Sequence, residues 1–236
     1  MLATRVGLPV WRTVRHRVRV VAVRPEGPGV VSVVMSGHRL DRLPVAGGQF
    51  FQWRFLRRGL WWQAHPYSLS AAPWRDELRI TVKDLGDHSS GLGALRPGTR
   101  VAIEGPYGIF TADSAEHDRL LLVGAGVGTA PILALLEELP EETDVTVLLR
   151  GSTRADLVLR DEVADEVAHR GGRLFELVGS RDEVRLDAPA LRALVPDVRH
   201  REAYLCGPDP LARRLAAELG RAGVPASRIH FESFTF

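Results

Sequence analysis

The first half of the chain has the apolar and polar pattern of a β domain. Stretches that are rich in β-branched residues, or that alternate apolar with polar positions, predict six strands, at Val14–Val23, Val30–Met35, Gln49–Leu56, around Tyr67, at Leu78–Lys83 and at Val101–Glu104. Between the first two strands, Arg24–Gly29 contains two prolines and two glycines and predicts a turn. Six short strands with little helix between them are typical of a small antiparallel barrel.

The second half changes to strands that alternate with helices. Apolar runs predict short buried strands at Leu120–Val123, Val145–Leu149, Arg173–Val178, Ala203–Leu205 and Arg228–Phe231, and helical periodicity lies between them at Pro131–Leu139, Ala155–Arg170 and Pro208–Gly220. This alternation predicts a parallel α/β sheet. We place the domain boundary in the polar stretch Thr111–Arg119, so that a β-barrel domain covers residues 1–112 and an α/β domain covers residues 118–236.

Composition supports a folded chain and narrows the possible chemistry. The 236 residues are 45% hydrophobic and 25% charged, which is enough apolar sequence for a sizeable core in one or two domains. The single cysteine, Cys206, excludes an intramolecular disulfide and a cysteine-ligated iron–sulfur cluster, and the eight histidines show no pairing suited to a metal. The charge-free run Leu120–Leu136 contains three glycines and a proline, so we interpret it as strand, turn and helix rather than as a membrane span.

Charge is nearly balanced over the whole chain but not at its start. The 31 basic and 29 acidic residues give a net charge of +2, which is too small for a general binder of nucleic acid. Residues 1–24 nevertheless carry six arginines and no acidic residue. Two interpretations of this segment stay open: a solvated strand edge, or a segment that lies beside an anionic membrane surface.

A glycine-rich turn follows the first predicted strand of the α/β half. Gly124, Gly126 and Gly128 lead through Thr129 into a predicted helix. In this context the backbone can approach a phosphate closely, and the amides at the helix start can donate to it. The glycine spacing differs from the G-x-G-x-x-G dinucleotide fingerprint, so a tight structural turn is the alternative interpretation.

Arginines end the next two predicted strands. Arg150 follows one of them, and Ser180-Arg181 follow the other. Because the carboxyl ends of parallel strands share one edge of a sheet, we expect these residues to face the same crevice as the glycine turn. A guanidinium there can bind a 2′-phosphate through two hydrogen bonds and thereby favour NADPH over NADH. The alternative is an ordinary surface arginine in an arginine-rich chain.

A second cluster, His65-Pro66-Tyr67-Ser68, lies in the β half. It combines a potential cation, a fixed backbone, an aromatic face and a hydroxyl group in four consecutive residues. A ligand with a flat ring and a diphosphate tail would use each of these groups. By composition alone, the same residues are equally a strand that leaves a turn.

Taken in order along the chain, these motifs resemble those of the ferredoxin–NADP reductase-like flavoproteins. The resemblance rests on His65–Ser68, Val82–Ser89, Gly105–Gly108, Gly124–Pro131, Cys206–Pro208 and Glu232–Phe234, and it extends from about Arg15 to Phe236. Within that superfamily, the His-Pro-aromatic-hydroxyl form is most similar to the dehydrogenase domains of ferric reductases and NADPH oxidases. The resemblance implies a six-stranded antiparallel FAD-binding barrel followed by a parallel-sheet NADP-binding domain.

The resemblance also implies roles for individual residues. Tyr67 would lie against the flavin and Ser68 near its N5 atom, while Cys206, Gly207 and Pro208 would lie beside the nicotinamide. Phe234 would cover the other flavin face, with Phe236 as the alternative. The remaining cofactor contacts would come from His65, Pro66, Val82, Lys83, Gly86, His88 and Ser89 for FAD, and from Gly124, Gly126, Gly128, Thr129, Arg150, Ser180 and Arg181 for NADPH.

The function that the resemblance implies is an FAD-dependent NAD(P)H oxidoreductase with FAD and NADPH as cofactors, NADH remaining open. Hydride would pass from NADPH to FAD, and single electrons would then pass to haem in a membrane domain of the ferric reductase or NADPH oxidase type, or to ferric iron. The alternatives are a stand-alone reductase of a soluble electron carrier or of free flavin, and a non-catalytic nucleotide-binding subunit. The expected location is the cytoplasm, with the cytoplasmic face of a membrane as the more specific form.

Overall fold

A computed structural model describes residues 15–74, 76–86, 89 and 91–234, and its first half contains the six predicted strands. Their bounds are β1 (Arg19–Gly27), β2 (Val30–Ser36), β3 (Phe50–Phe55), β4 (His65–Ser68), β5 (Glu77–Lys83) and β6 (Val101–Tyr107). They form two antiparallel three-stranded sheets, in the orders β1-β2-β5 and β4-β3-β6. Single bridges link the sheets at both edges, from Arg19 to Arg100 and from Leu69 to Ile80. The barrel therefore consists of two sheets that meet at isolated bridges.

The turn between β1 and β2 is shorter than the sequence predicts. Strand β1 continues through the expected turn residues, with Pro25 opposite Val31 and Gly27 opposite Val30. Only Pro28 and Gly29 form the turn, and Gly29 has a φ of +66°. Pro25 is tolerated in the strand because β1 lies at the edge of its sheet, where a missing N–H costs no ladder hydrogen bond.

The second half forms the predicted parallel sheet. Its strands are β7 (Arg119–Ala125), β8 (Asp144–Gly151), β9 (Arg173–Val178), β10 (Glu202–Pro208) and β11 (Ile229–Phe234), in the order β11-β10-β7-β8-β9. The helices are α1 (Thr129–Leu136), α2 (Arg160–His169), α3 (Ala188–Leu194) and α4 (Asp209–Ala222). The strand order reverses between β7 and β10, which places a ligand crevice at their carboxyl ends.

Two helices differ from the sequence-based expectation. The helix predicted from Ala155 begins only at Arg160, because Leu159 has a left-handed backbone with φ of 55° and interrupts the helix. Helix α3 was not predicted. It has seven residues, too few for a clear helical period, and it begins at the cap of Asp187, whose side chain accepts a hydrogen bond from the Ala190 N–H.

The described hydrophobic core falls into three clusters. One fills the barrel around Phe51, Trp53 and Ile80. The other two cover opposite faces of the parallel sheet, where helix α1 is buried along its whole length and Leu191 packs on the other side. Both faces of the sheet are therefore covered, as parallel sheets require.

Acidic side chains of the α/β half hold the barrel against the parallel sheet. At the end of α1, a Glu138 carboxylate oxygen accepts from the Gly47 N–H at 2.7 Å and a Glu137 oxygen accepts from the Ala72 N–H at 2.5 Å. Arg79 of β5 pairs with Glu162 of α2 at 2.7 Å. Burial raises the pKa of both Glu137 and Glu138. These contacts fix the relative position of the two halves around the crevice.

Candidate active site

Strand β4 presents the His65–Ser68 cluster at the edge of its sheet. His65 and Tyr67 share one face of the strand, with ring centroids 6.0 Å apart and planes at 28°. Tyr67 is half-buried, and its carbonyl accepts a hydrogen bond from Trp53 Nε1 at 2.8 Å. Burial raises the pKa of Tyr67 to about 12, so its hydroxyl stays neutral. Ser68 is buried and Pro66 is exposed. The cluster thus offers a partly exposed aromatic face of fixed orientation.

The turn after β5 is exposed and is shaped by its own side chains. The Leu85 N–H donates to Ser89 Oγ at 2.7 Å, and the Gly86 N–H donates to Asp84 Oδ1 at 3.2 Å. Gly86 has a φ of +136°, and nothing lies within 4 Å of the position that a Cβ would take. Lys83 is exposed at the end of the strand. Residue His88 of the predicted site lies outside the described residues, and Val82 is buried in the barrel core.

The glycine turn after β7 is packed instead of exposed. A Cβ on Gly128 would overlap the carbonyl group of Cys206 and would lie 2.7 Å from the Gly207 nitrogen. Gly126 has a φ of +56° with open space around its Cα, and buried Thr129 begins helix α1. Close packing therefore explains Gly128, whereas Gly126 leaves room for a bound group against the backbone.

Cys206 and Glu232 lie beside this turn at the carboxyl ends of their strands. Cys206 of β10 pairs with Gly124 on one side and with Glu232 of β11 on the other. Burial, together with the nearby Glu232, raises the pKa of the Cys206 thiol well above its ordinary value. Burial also raises the pKa of Glu232 to about 7. Among the described residues, Glu232 Oε2 is buried without a hydrogen-bond partner. A carboxyl group in this state is poised to hold or to release a proton near neutral pH.

Glu232 is a candidate site residue to which the sequence assigned no role. It belongs to a motif of the resemblance, but its burial depends on the packing of β11 against β10 and the barrel. The signal available in the sequence was a lone acidic residue in the last apolar strand. Such an acid is worth examining because charged residues are rarely buried without a function or a partner.

A continuous set of contacts links the barrel cluster to the sheet cluster. Phe50 pairs with Ser68 across β3 and β4, and its ring lies 5.6 Å from that of Tyr107. A Cβ on Gly108 would lie 3.4 Å from the Phe50 ring and 3.6 Å from Glu232 Oε1. Contacts through Phe50 and Gly108 therefore link β4 to the ends of β10 and β11, although these strands are far apart in the chain.

Arg150 is buried at the end of β8 and binds the backbone. Its guanidinium donates to the carbonyls of Leu177 at 3.2 Å, Gly179 at 2.7 Å and Ser180 at 3.1 Å, and also to that of Gly151. It thereby organises the loop after β9. Contact of Arg150 with a 2′-phosphate remains a prediction, and its guanidinium would have to exchange some of these carbonyls for phosphate oxygens.

The loop that Arg150 organises borders a cavity of about 60 Å³. Arg150, Arg181 and Arg214 line one part of it, and Val184, Leu186 and Leu211 supply apolar walls. Arg214, on helix α4, was not predicted from the sequence. Its position within the first two turns after Cys206–Pro208 was the available signal, because α4 begins at the same sheet edge.

The predicted flavin cover at the carboxyl terminus is described only in part. The backbone of Phe234 ends β11 and pairs with that of Pro208. Phe236 lies outside the described residues. The choice between Phe234 and Phe236 stays a prediction.

Comparisons with known proteins point to a flavin-binding fold. The chain matches a family model described as an FAD-binding domain over residues 15–111. It is 29% identical over 240 residues to an NADPH oxidoreductase of Mycobacterium tuberculosis, covering 96% of this chain and 62% of that protein. It is 29% identical to a flavohemoprotein of Xylella fastidiosa, covering 89% of this chain and 56% of the relative. The chain thus spans about three-fifths of the length of these relatives.

Solved structures show the same architecture. The FAD/NAD-binding domain of a nitric oxide dioxygenase from Vibrio cholerae superposes with a TM-score of 0.75 at 26% identity, over 93% of this chain and 99% of that one. A ferredoxin–NADP⁺ reductase from Neisseria gonorrhoeae, with FAD and NADP bound, superposes with a TM-score of 0.74 at 17% identity, over 92% and 97% of the two chains. At that identity, the second likeness establishes the fold alone.

None of the helices in the described part of the chain is long and apolar enough to cross a membrane.

Proposed function

We propose that the chain is an FAD-dependent NAD(P)H oxidoreductase of the ferredoxin–NADP reductase-like superfamily of FAD-binding proteins. It would deliver electrons to an acceptor outside the chain. The observation that carries the proposal is the set of contacts, through Phe50 and Gly108, that links the Tyr67–Ser68 strand to Glu232 and its strand neighbour Cys206. When bound, FAD supplies the chemistry by accepting hydride and releasing electrons singly.

The residues of this chain have positioning roles in the proposal. The open backbone at Gly86 and at Gly126 leaves space for two diphosphate groups. The neutral Tyr67 offers an aromatic face to a flat ring, and Ser68 follows it at the inner end of β4. On the other side of the bound rings, Cys206 would supply an apolar surface and Glu232 a carboxyl group that holds a proton. This arrangement favours stacking of two rings and exclusion of water, which hydride transfer requires.

The cavity beside Arg150 supports NADPH as the preferred donor. Arg181 and Arg214 both line this cavity and both are exposed, so two guanidinium groups border one small opening. Guanidinium groups at such an opening suit a 2′-phosphate.

The acceptor is the least constrained part of the proposal. In the more specific form of the proposal, the acceptor is haem in a membrane domain of the ferric reductase or NADPH oxidase type, or ferric iron, as the resemblance of the His65–Ser68 motif implies. The second form is a reductase of a soluble partner. It is supported by the name of a relative, the reductase component of propane 2-monooxygenase from Mycolicibacterium goodii, 28% identical over 97% of this chain and 69% of that protein.

Anaerobic titration of the FAD-loaded chain with NADPH and with NADH tests the proposal. We expect the visible absorbance of bound flavin to bleach with both donors and at lower concentrations of NADPH. Addition of ferric chelate, haem protein or free flavin would then show which acceptor restores the colour fastest. Absence of bleaching with excess FAD present would favour a non-catalytic nucleotide-binding subunit.

Donor preference has a matched pair of variants. Arg181→Ala should raise the KM for NADPH about tenfold and leave that for NADH unchanged, because a charge-assisted hydrogen bond to the 2′-phosphate is lost. Arg185→Ala is the control, since Arg185 pairs with Asp187 in the same loop and does not line the cavity. Equal effects of Arg181→Ala on both donors would exclude a 2′-phosphate contact at this residue.

A further inference from the structure

Three separate segments meet at one end of the barrel. They are residues 15–20, which lead into and begin β1, residues 54–62 at the end of β3, and residues 91–103, which lead into β6. The Val101 N–H donates to the Val18 carbonyl at 2.9 Å, and the Leu56 N–H donates to the Arg100 carbonyl at 2.8 Å. Arg57 Nη1 donates to the Ala94 carbonyl at 2.8 Å. The segments therefore form one continuous surface, which we call the arginine–tryptophan surface.

The arginine–tryptophan surface is strongly basic. Its three segments contain no aspartate or glutamate and eight arginines, namely Arg15, Arg17, Arg19, Arg54, Arg57, Arg58, Arg96 and Arg100. All but Arg15 are exposed. Within the described part of the chain, Arg54, Arg58, Arg96 and Arg100 form no ion pair with a carboxylate. The positive charge of this surface is therefore available to an external anion.

Two neighbouring tryptophans belong to the same surface. Trp61 and Trp62, in the turn between β3 and β4, are each 59% exposed, and Leu56 is 43% exposed. The turn is well anchored, because the Trp61 N–H donates to the Arg57 carbonyl at 3.0 Å and the Leu60 side chain packs against Gly91. The indoles are thus held outward by an ordered turn.

We propose that the arginine–tryptophan surface docks on an anionic lipid membrane. Clusters of arginine attract anionic lipid headgroups, and tryptophan is favoured at the level of those headgroups, where its ring is apolar and its N–H is wet. An acidic protein would also match the charge, and binding to anionic surfaces that does not depend on the two indoles would indicate such a partner. The inference concerns where the chain works and does not depend on the proposed reductase activity.

Vesicle co-sedimentation of the FAD-loaded full chain tests the proposal. We expect binding to vesicles of phosphatidylglycerol mixed with phosphatidylcholine, weak binding to phosphatidylcholine alone, and release at high salt, which screens the arginines. The triple variant Arg54→Gln, Arg58→Gln, Arg96→Gln should bind anionic vesicles about 100-fold more weakly, since each basic residue near the surface contributes roughly a factor of five.

The tryptophans distinguish a membrane from a protein partner. Trp61→Ser with Trp62→Ser should weaken vesicle binding about tenfold. Trp74→Ser is the matched control, because Trp74 is 68% exposed but is followed closely by Asp76 and Glu77. Far-ultraviolet circular dichroism and bound flavin verify that each variant is folded. Absence of binding to anionic vesicles would overturn the proposal, as would vesicle binding that is equally strong in the wild type and in the double tryptophan variant.

Discussion

The two glycine turns that we assign to diphosphate groups are built in opposite ways. In the turn after β7, Gly128 packs directly on the Cys206 carbonyl, so backbone contacts fix its shape. In the turn after β5, Ser89 and Asp84 side chains accept hydrogen bonds from backbone N–H groups at an exposed site. A turn fixed by packing is preorganised and intolerant of change, whereas a turn fixed by exposed hydrogen bonds can adjust when a ligand binds.

The largest expected effect is at the packed turn. Gly128→Ala places a methyl group into main-chain atoms of β10, so the turn and the start of α1 must move away from β10. We expect the free energy of unfolding to fall by about 3 kcal/mol, the upper range for an overpacked site. Urea denaturation of the full chain measures it.

The control for this substitution is another glycine in the α/β half. Gly220 lies within helix α4, and nothing lies within 4 Å of its Cβ position. Gly220→Ala should therefore stabilise the chain by about 0.5–1 kcal/mol. If Gly128→Ala were equally harmless, the turn after β7 would not be fixed by packing.

Beside the packed turn, Glu232 should make stability depend on pH. Its pKa rises from an ordinary value of 4.5 to about 7 in the folded chain, so the folded state keeps a proton that the unfolded state has already released. The free energy of unfolding should therefore fall as pH increases from about 4.5 to about 7, and then level off. Glu232→Gln removes this titration, and should stabilise the chain by up to about 3 kcal/mol at pH 8 and by little at pH 4.5.

Paired urea titrations of wild type and Glu232→Gln at the two pH values measure this difference. Glu104→Gln is a suitable control, because Glu104 is exposed and hydrogen-bonds with the Tyr107 hydroxyl. A stabilisation by Glu232→Gln that is the same at both pH values would contradict a buried, titrating carboxyl group beside the packed turn.

The exposed turn should tolerate an added methyl group better. Gly86→Ala forces alanine toward a φ of +136°, but its Cβ meets no atom within 4 Å. We expect a loss of about 1–2 kcal/mol from backbone strain alone, part of which the exposed turn can relieve by moving. The same urea series measures it. A loss as large as that of Gly128→Ala would remove the distinction between the two turns.

The sequence predicts the elements of both turns but not how each turn is held. Alternation and apolar runs correctly indicate β5 and β7, since burial of one or both faces leaves a regular pattern. The approach of Gly128 to Cys206 depends on two strands that are about 80 residues apart in the sequence and adjacent in the sheet. No local pattern encodes such a contact.

The same limit explains the other residues that sequence reasoning did not place. Arg150 ends its strand as expected, but its bonds to carbonyls depend on how the loop after β9 folds back. Burial of Glu232 depends on β6 and β10, and the arginine–tryptophan surface joins three separate segments. The late start of α2 was not predicted, because the left-handed backbone of Leu159 has no signature in the local sequence.

The smallest expected effect separates the structure of the exposed turn from its proposed function. Ser89→Ala removes the acceptor of the Leu85 N–H, and at an exposed site this should lower the free energy of unfolding by only about 0.5 kcal/mol. Ser114→Ala is the control, because Ser114 Oγ donates to the Ile109 carbonyl at 2.6 Å in another exposed turn. Both variants should lose similar stability, whereas only Ser89→Ala should weaken FAD binding, by about two- to threefold in a fluorescence titration. Equal FAD affinity in the two variants would mean that the turn after β5 does not hold the diphosphate, and the structural contrast between the turns would then have no counterpart in cofactor binding.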